Sequence, residues 1–315
     1  MSDFILTADD LHKSYGERAA VQGISFGVRR GEVFSLLGPN GAGKTTTISM
    51  LSCLIAPTRG DATIAGHSIR REPGAVKRAI GVVPQEIALY QALSARENLL
   101  FWGQMYGLGG ASLRRRADEV LELVGLRDRA NDRLETYSGG MQRRINLAAG
   151  LLHRPQLVFM DEPTVGIDPQ SRRNILDMVK QLNAQGMTVL YTTHYMEEAQ
   201  ELSSRIGIID HGKLIALGTL DELNRLVGEE DVVELQVGAE STPPELLRAL
   251  NGVPGVSQAS RENGTLRLLA RDGNAALPEL ITLANSLGTR VTNVSIRVPN
   301  LEAVFLSLTG RALRD

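Results

Sequence analysis

The segment GPNGAGKT at residues 38–45 combines residue types that hold phosphate, and it fits the pattern G-x-x-x-x-G-K-[ST] at every constrained position. Glycines let backbone N–H groups turn inward around phosphate oxygens, and a helix that begins near Gly43 would point its positive end at them. Lys44 supplies a full charge, and Thr45 offers a hydroxyl to Mg²⁺. This segment predicts a site for nucleotide phosphates.

A second segment, LVFMDE at residues 157–162, is an apolar run that ends in two acids. A buried strand of this composition would deliver Asp161 to the edge of a sheet, where its carboxylate can hold the Mg²⁺ shell. Glu162 follows by one residue and can orient or deprotonate an attacking water. Either acid alone is compatible with a helix cap or a loop, but its combination with a phosphate loop favours the catalytic interpretation.

A further glycine pair occurs in TYSGGMQRR at residues 136–144. Ser138 is a good helix N-cap, and residues 141, 145, 148 and 152 fall on one face of the helix that would follow, so local rules explain the segment as a helix start. A helix N-terminus with two free glycine amides is also an anion site, which a chain with its own phosphate loop does not need. The residues themselves leave both interpretations open.

Apolar patterns predict the elements that must position these residues. Continuous apolar runs at residues 80–83, 157–160, 189–193 and 206–209 are typical of strands covered on both faces. A strand at 32–37, a glycine turn and a helix at 44–55 surround the phosphate loop, and earlier strands are predicted at 4–6 and 20–26. We predict an α/β core with a mostly parallel central sheet and an antiparallel β layer built from the N-terminal strands. Helical patterns at 95–106, 112–124 and 141–153 predict a helical subdomain inserted at about residues 86–153.

A different pattern follows residue 227. Strands at 232–237, 256–260, 266–270 and 291–298 alternate with helices at 244–250 and 277–287, with a hairpin turn at Glu262-Asn263-Gly264 and a last helix at 301–308. The order β-α-β-β-α-β predicts a ferredoxin-like α+β unit. We therefore expect two domains, at residues 1–227 and 228–315.

Composition narrows the class of protein. The 315 residues are 43% hydrophobic and 22% charged with a formal net charge of −2, which gives no electrostatic reason to expect nucleic acid as a ligand. Cys53 is the only cysteine and is predicted to be a small apolar helix residue, so we expect no intramolecular disulfide, no cysteine zinc site and a reducing compartment.

The N-terminus has no secretory pattern and no apolar run approaches the ~18 residues of a membrane span. Any membrane role is expected through a partner. The arginine run at 114–116 is interpreted as a solvated helix face.

Residues 38–46, Gln85, Ser138-Gly139-Gly140, Asp161-Glu162, Asp168 and His194, in this order and approximate spacing, resemble the nucleotide-binding subunits of ATP-binding cassette (ABC) transporters. The resemblance covers residues 4 to 227 and implies a P-loop NTPase fold.

The resemblance also implies a role for each matching residue. Tyr15 would stack on adenine, and the phosphates would be bound by Gly38, Pro39, Asn40, Gly41, Ala42, Gly43, Lys44, Thr45 and Thr46. Mg²⁺ would be held by Thr45, Gln85 and Asp161, and catalysis would be carried by Glu162, His194, Gln85 and Lys44. His194 would contact the γ-phosphate, and the other four histidines are interpreted as surface residues.

In the family the Ser138 segment meets ATP on the opposite subunit. Two chains paired head to tail would bury two ATP molecules, each held by one phosphate loop and by Ser138, Gly139, Gly140 and Met141 of the other chain, while Asp168 would communicate across the dimer. The commonest family signature has leucine and glutamine where this chain has Tyr137 and Met141. Met141 cannot make the hydrogen bonds of a glutamine side chain, although the backbone donors are unaffected.

The C-terminal residues 298–311, VPNLEAVFLSLTGR, look like the tail of daunorubicin-resistance-type ATP-binding subunits, whose transmembrane subunits are separate polypeptides. This resemblance implies a peripheral ATPase on the cytoplasmic face of the cell membrane. It would act as a homodimer or with a second ATPase subunit, driving export of a drug, lipid or polysaccharide through a permease. The alternatives are a non-transport ABC ATPase of the ribosome or DNA, disfavoured by the single cassette and the lone Cys53, and an importer subunit, disfavoured by the tail.

Overall fold

The computed structural model describes residues 3–227, 230–237, 244–262, 264–297 and 300–309. The strands are β1 Phe4–Tyr15, β2 Arg18–Arg29, β3 Val33–Leu37, β4 Arg59–Ile64, β5 His67–Ser68, β6 Ile80–Val83, β7 Leu157–Asp161, β8 Thr188–Thr193, β9 Arg205–Asp210, β10 Lys213–Gly218, β11 Asp231–Val237, β12 Val256–Glu262, β13 Thr265–Ala270 and β14 Val291–Arg297. The α-helices are α1 Lys44–Leu51, α2 Pro73–Ala79, α3 Ala95–Met105, α4 Gly110–Leu123, α5 Gly139–Leu151, α6 Pro169–Ala184, α7 Met196–Leu202, α8 Leu220–Asn224, α9 Pro244–Asn251, α10 Gly273–Ser286 and α11 Leu301–Thr309. Two compact units divide between Leu220 and Asp221.

The first unit contains the predicted mostly parallel sheet. Its strand order is β10-β9-β3-β8-β7-β6, and only the β10–β9 pair is antiparallel. A second sheet, of order β2-β1-β4-β5, is antiparallel and is the predicted N-terminal β layer. Since the parallel strands end at one edge of their sheet, the loops that follow β3, β6, β7 and β8 lie side by side.

Strand β7 shows why its sequence is continuously apolar. Leu157 and Phe159 pack into the core shared with α1 and the antiparallel sheet. Val158 and Met160 point to the opposite face and pack into the core shared with α3 to α6. Because side chains alternate along a strand, a strand between two cores must be apolar at every position. Asp161 is the first polar residue and ends the strand at the loop edge.

Three local predictions were wrong. Strand β1 was predicted at residues 4–6 but continues to Tyr15, where it pairs with β2 in a hairpin. The predicted helix 44–55 ends at Leu51, because Cys53 adopts a left-handed φ of 57°. Cys53 is therefore not a helix residue.

The segment between β6 and β7 is helical, as predicted, with α3, α4 and α5 packed around one apolar core. His153 is not a surface histidine: its ring stacks on Tyr106 at a centroid distance of 3.8 Å, and Nε2 lies 2.7 Å from Ile80 O. Arg116 is only half-exposed, because its guanidinium donates to the carbonyls of Leu151 and Leu152 at the end of α5. The arginine run is thus a solvated face at Arg114 and Arg115 only.

The second unit has the predicted β-α-β-β-α-β order. Its antiparallel sheet runs β12-β13-β11-β14, so β13 lies between β11 and β12, as in a ferredoxin-like split unit. Helices α9 and α10 cover one face, with Leu246, Leu250 and Leu280 fully buried against Val233 and Leu268. Of the predicted hairpin turn and tail, residues 263, 298, 299, 310 and 311 lie outside the described residues. The predicted boundary between residues 227 and 228 stays a prediction.

Among the residues that the structure describes, no helix has both the length and the apolar character needed to cross a membrane.

Candidate functional site

The predicted phosphate loop connects β3 to α1. Gly38 packs so tightly on β9 that an added Cβ would lie 2.2 Å from Ile209 O, and Gly43 adopts a φ of 107° as the N-cap of α1. A residue with a side chain would clash at the first position and be strained at the second. No side chain caps the start of α1, so its first amides face the loop. The sequence therefore folds into a backbone cradle with donor groups.

Lys44 lies at the centre of this cradle and is 4% exposed. Its Nζ donates to Gly38 O at 2.6 Å and to Pro39 O at 3.0 Å, and it forms an ion pair with Glu162 Oε1 at 2.8 Å. The ammonium is thus held between the phosphate loop and the acid that follows β7. A buried cation with donors directed across a loop is suited to an anionic ligand.

Asp161 lies beside the phosphate loop with oxygen partners suited to a hard cation. Its Oδ1 accepts a hydrogen bond from Thr192 Oγ1 at 2.7 Å, and its carboxylate also bonds to the Thr45 side chain. Burial raises the pKa of Asp161, and these hydrogen bonds oppose the rise. The described residues contain no cluster of three His, Cys, Asp or Glu side chains that would hold a metal alone. A carboxylate and a hydroxyl fit Mg²⁺, which binds through few protein ligands together with phosphates and water.

Glu162 is held in an unusual backbone conformation. Its φ is 44°, a left-handed value that costs roughly 1–2 kcal/mol for a residue with a Cβ. The Glu162 N–H donates to Thr192 O at 3.2 Å and to Thr192 Oγ1 at 3.0 Å, which offsets this strain. Its Oε2 lies 3.2 Å from His194 Nδ1, just past the end of β8. The carboxylate therefore lies between the side chains of Lys44 and His194. All three residues are buried, with exposed fractions of at most 9%.

A cavity of ≈ 400 Å³ opens above these residues. It is lined by Tyr15, Arg18, Ala20, Asn40, Gly41, Gly43, Lys44, Thr45, Thr46, Gln85 and Glu162. The cavity thus brings together the predicted phosphate loop, the predicted adenine contact and the predicted catalytic acid. Gly38, Pro39, Ala42, Asp161 and His194 are not among the lining residues but lie in the adjoining layer.

Sequence reasoning missed Arg18 at this cavity. Arg18 is the strand partner of Tyr15 across the hairpin turn of β1 and β2, and it is exposed. The turn glycine Gly16, with a φ of 59°, marks this hairpin in the sequence. Recognition of the hairpin would have placed Arg18 next to Tyr15.

A buried carboxylate supports the loops at this edge and was also missed. Glu198 is 0% exposed and accepts hydrogen bonds from Tyr191 and Thr193 of β8 and from Thr164, close to Glu162. Arg172 of α6 completes the network, with Nε at 2.7 Å from Glu198 Oε1. The sequence signal is its position four residues after His194, on the next helix.

Residues 138–141 are not among those that line the cavity of their own chain. Ser138 caps α5, as predicted, with Oγ accepting from Met141 N at 3.3 Å, and both Ser138 and Gly139 are exposed. Gly140 is buried against Ser171 of α6. Met141 packs against the helical core. Contact of these residues with a nucleotide on a second chain stays a prediction.

Asp168 begins the helix that contacts Gly140. It caps α6, with Oδ1 accepting from Ser171 N at 2.9 Å, and hydrogen bonds from Ser171 lower the pKa of its carboxyl group. Its side chain is exposed. The starts of α5 and α6 therefore lie next to each other at Gly140 and Ser171, and neither contributes a residue to the cavity lining.

Known proteins resemble this chain over most of its length. A family model described as ABC transporter matches residues 21–165. The chain is 49% identical to the linearmycin resistance ATP-binding protein LnrL of Bacillus subtilis strain 168, over 99% of this chain and 100% of that protein. It is 40% identical to the daunorubicin resistance ATP-binding protein DrrA3 of Streptomyces coeruleorubidus, over 98% of this chain and 97% of that protein.

Two further similarities concern export and assembly. The Nod factor export ATP-binding protein I of Ralstonia nicotianae is 40% identical, over 99% of this chain and 95% of that protein. A dimeric ATP-binding cassette solved in a post-hydrolysis state, bound to ADP and Pi, matches with a TM-score of 0.62 and 28% identity, covering 68% of this chain and 98% of that chain.

Proposed function

The chain belongs to the ABC transporter family, and we propose that it is an exporter subunit that hydrolyses ATP at the cavity above Lys44. The observation that carries the proposal is the meeting of the phosphate loop, Asp161, Glu162 and His194 at one edge of the parallel sheet. Ligands of open α/β sheets bind at such edges.

ATP binding uses the cradle and its cation. The loop amides and the first amides of α1 donate hydrogen bonds to the β- and γ-phosphate oxygens, and Lys44 exchanges its Glu162 and carbonyl partners for phosphate oxygens. Tyr15 is 52% exposed at the cavity wall, so its ring face is accessible for stacking on adenine.

Thr45 and Asp161, with Gln85 at the cavity wall, are the residues that would hold Mg²⁺. When bound with ATP, the ion neutralises charge on the phosphates. Thr192 holds the Asp161 carboxylate in place through its hydrogen bond to Oδ1.

Hydrolysis is assigned to Glu162 and His194. Glu162 has one oxygen toward Lys44 and the other toward His194. When Lys44 turns to the phosphates, the oxygen that it held becomes available, and the carboxylate orients a water for in-line attack and accepts its proton. His194, which lies against Glu162 through Nδ1, would contact the γ-phosphate. Glu162 has a left-handed φ directly after β7, and in this conformation its carboxylate reaches Lys44 of the phosphate loop.

The proposed dimer is supported by the absence of Ser138 from the residues that line the cavity of its own chain. The exposed helix start at Ser138 and Gly139, with the exposed Asp168 cap at the start of α6, would complete the ATP site of a second chain. The matched dimeric cassette supports this arrangement. Separate permease subunits would anchor the dimer at the cytoplasmic face of the membrane, and the resistance and export names of the relatives favour export over import.

Release of phosphate from ATP tests the proposal. Wild-type protein should release phosphate with Mg²⁺ and lose this activity in EDTA, and Asp161→Asn should show the same loss while the fold is retained by circular dichroism. Wild-type protein that binds no ATP would refute the assignment. Recovery with a multi-span membrane protein from native membranes supports the exporter, whereas recovery with ribosomes favours the non-transport alternative.

A further inference from the structure

Arg143, on the second turn of α5, is a buried cation whose partners are all backbone carbonyls. It is 6% exposed, and none of the ion pairs formed by the described residues includes it. Burial of the guanidinium lowers the pKa of Arg143. Burial of a charge without a carboxylate partner costs desolvation free energy, so packing alone does not explain an arginine at this position.

The guanidinium bridges two loops of the candidate site. Nη1 donates to Pro84 O at 3.3 Å and to Gln85 O, and Nη2 donates to Val165 O at 3.3 Å. Asn146, one turn further along α5, reinforces the first contact with Nδ2 at 3.2 Å from Pro84 O. Helix α5 is therefore hydrogen-bonded to both loops through the single planar guanidinium of Arg143.

Both loops carry residues assigned to ATP hydrolysis. Gln85 lines the cavity. Val165 lies between Glu162 and Asp168, and its N–H donates to Glu162 O at 3.3 Å. The helix that holds these two loops begins at the exposed cap Ser138. Movement of either loop must therefore move α5 or break a hydrogen bond to a buried charge.

Arg144 shows that burial of a guanidinium alone does not explain these contacts. It is the adjacent residue, is half-buried, and burial lowers the pKa of its guanidinium as well. Its Nη1 donates to Val124 O at 2.9 Å, at the end of α4, far from both loops in sequence. Each arginine also has an Nε without a hydrogen-bond partner. The two arginines therefore differ in their acceptors: Arg143 donates to the cavity loops, and Arg144 donates to the end of α4.

We propose that Arg143 is a positioning residue that couples the cavity loops at Gln85 and Val165 to the start of α5. The proposal rests on the proposed ATPase function. The planar guanidinium presents its donors in a fixed fork, so the two loops and the helix keep one relative geometry. A ligand in the cavity that moves these loops therefore also moves the start of α5 at Ser138. Conversely, a shift of that helix start moves Gln85.

Arg143→Gln and its matched control Arg144→Gln test this coupling. Both variants should lose thermal stability, because each removes a guanidinium that donates to backbone carbonyls. Only Arg143→Gln should lower kcat, by about 10- to 100-fold, since small misplacements of a catalytic group have effects of that size. The KM for ATP should stay within about 3-fold of wild type, because Arg143 does not line the cavity. Arg143→Lys should have a kcat between those of Arg143→Gln and wild type, since lysine keeps the positive charge but not the planar, forked set of donors.

The double variant with Gln85→Ala shows whether Arg143 acts through Gln85. Arg143 contacts the main chain of residue 85, so Gln85→Ala keeps that contact. We expect Arg143→Gln to reduce kcat much less in the Gln85→Ala background than in wild type. Additive losses, or equal kcat for the Arg143 and Arg144 variants, would overturn the proposal. Should Arg143→Gln fail to fold, Arg143→Lys with wild-type kcat and wild-type KM would overturn it equally. Absence of ATP hydrolysis in the wild-type protein would instead contradict the proposed function.

Discussion

Replacement of Gly140 by alanine is the steric perturbation that the structure describes most sharply. The new Cβ would lie 1.9 Å from Ser171 Oγ and 2.4 Å from Ser171 Cβ, whereas ordinary contact begins near 3.4 Å. The hydroxyl can rotate away, but the Ser171 Cβ is fixed to the backbone, so α5 and α6 must separate by about 1 Å. Overpacking of this kind costs about 1–3 kcal/mol of unfolding free energy.

Gly139→Ala is the matched control, because among the described residues nothing beyond its chain neighbours and its own helix backbone lies within 4 Å of the added Cβ. It should raise the unfolding free energy by up to ~1 kcal/mol through helix propensity, while Gly140→Ala lowers it. Urea midpoints of the two variants provide the assay.

Ser171→Gly removes the clashing Cβ and hydroxyl, so it should restore most of the midpoint lost in Gly140→Ala. This corresponds to a coupling energy of about 0.5–3 kcal/mol. Strictly additive effects, or equal midpoints for the two alanine variants, would refute the account of how the starts of α5 and α6 pack.

Three other perturbations probe the second-chain site and the helical core. Ser138→Arg puts a long cation at an exposed helix cap and should block ATP-dependent dimerisation in the Glu162→Gln background; a dimer of normal strength by light scattering would argue against the two-chain site. Met141→Leu should keep most ATPase activity and change the unfolding free energy by less than about 1.5 kcal/mol, and a large loss of turnover would show a specific role for the sulfur or its shape. Burial lowers the pKa of His153, so the unfolded chain binds more protons as the pH falls below its ordinary value of 6.5. The contribution of His153 to the unfolding free energy should therefore be fully present above about pH 6.5 and be lost as the pH falls through the lowered pKa. His153→Gln should flatten this part of a profile of urea midpoint against pH. An unchanged profile would show that His153 does not cause the pH dependence.

The edge of the parallel sheet was predictable because its strands have a simple pattern. Runs buried on both faces are continuously apolar, and the first polar residue after each run must lie at the same edge. Asp161 and His194 were placed by this rule. Ser138 was placed by capping chemistry, which is equally local.

The remaining features depend on contacts between segments that are distant in sequence. Arg143 lies on an amphipathic helix, and its pattern predicts packing but not a carbonyl partner 58 residues away. Arg18 reaches the cavity only because the antiparallel sheet covers α1. The left-handed φ of Glu162 is held by Thr192, which belongs to the neighbouring strand. Strand β1 was predicted too short because its pairing contains register shifts between Ala8 and Leu11 that interrupt the alternation.

The central claim is that Glu162 acts on water at the ATP cavity, and Glu162→Gln tests it most directly. Glutamine keeps the size of the side chain but cannot accept the proton, so phosphate release should fall by about 100-fold or more. ATP affinity, measured by equilibrium binding in parallel, should stay near or above that of wild type, because the change also removes the carboxylate that competes for Lys44. Wild-type phosphate release by a Glu162→Gln protein with normal ATP binding would contradict the account.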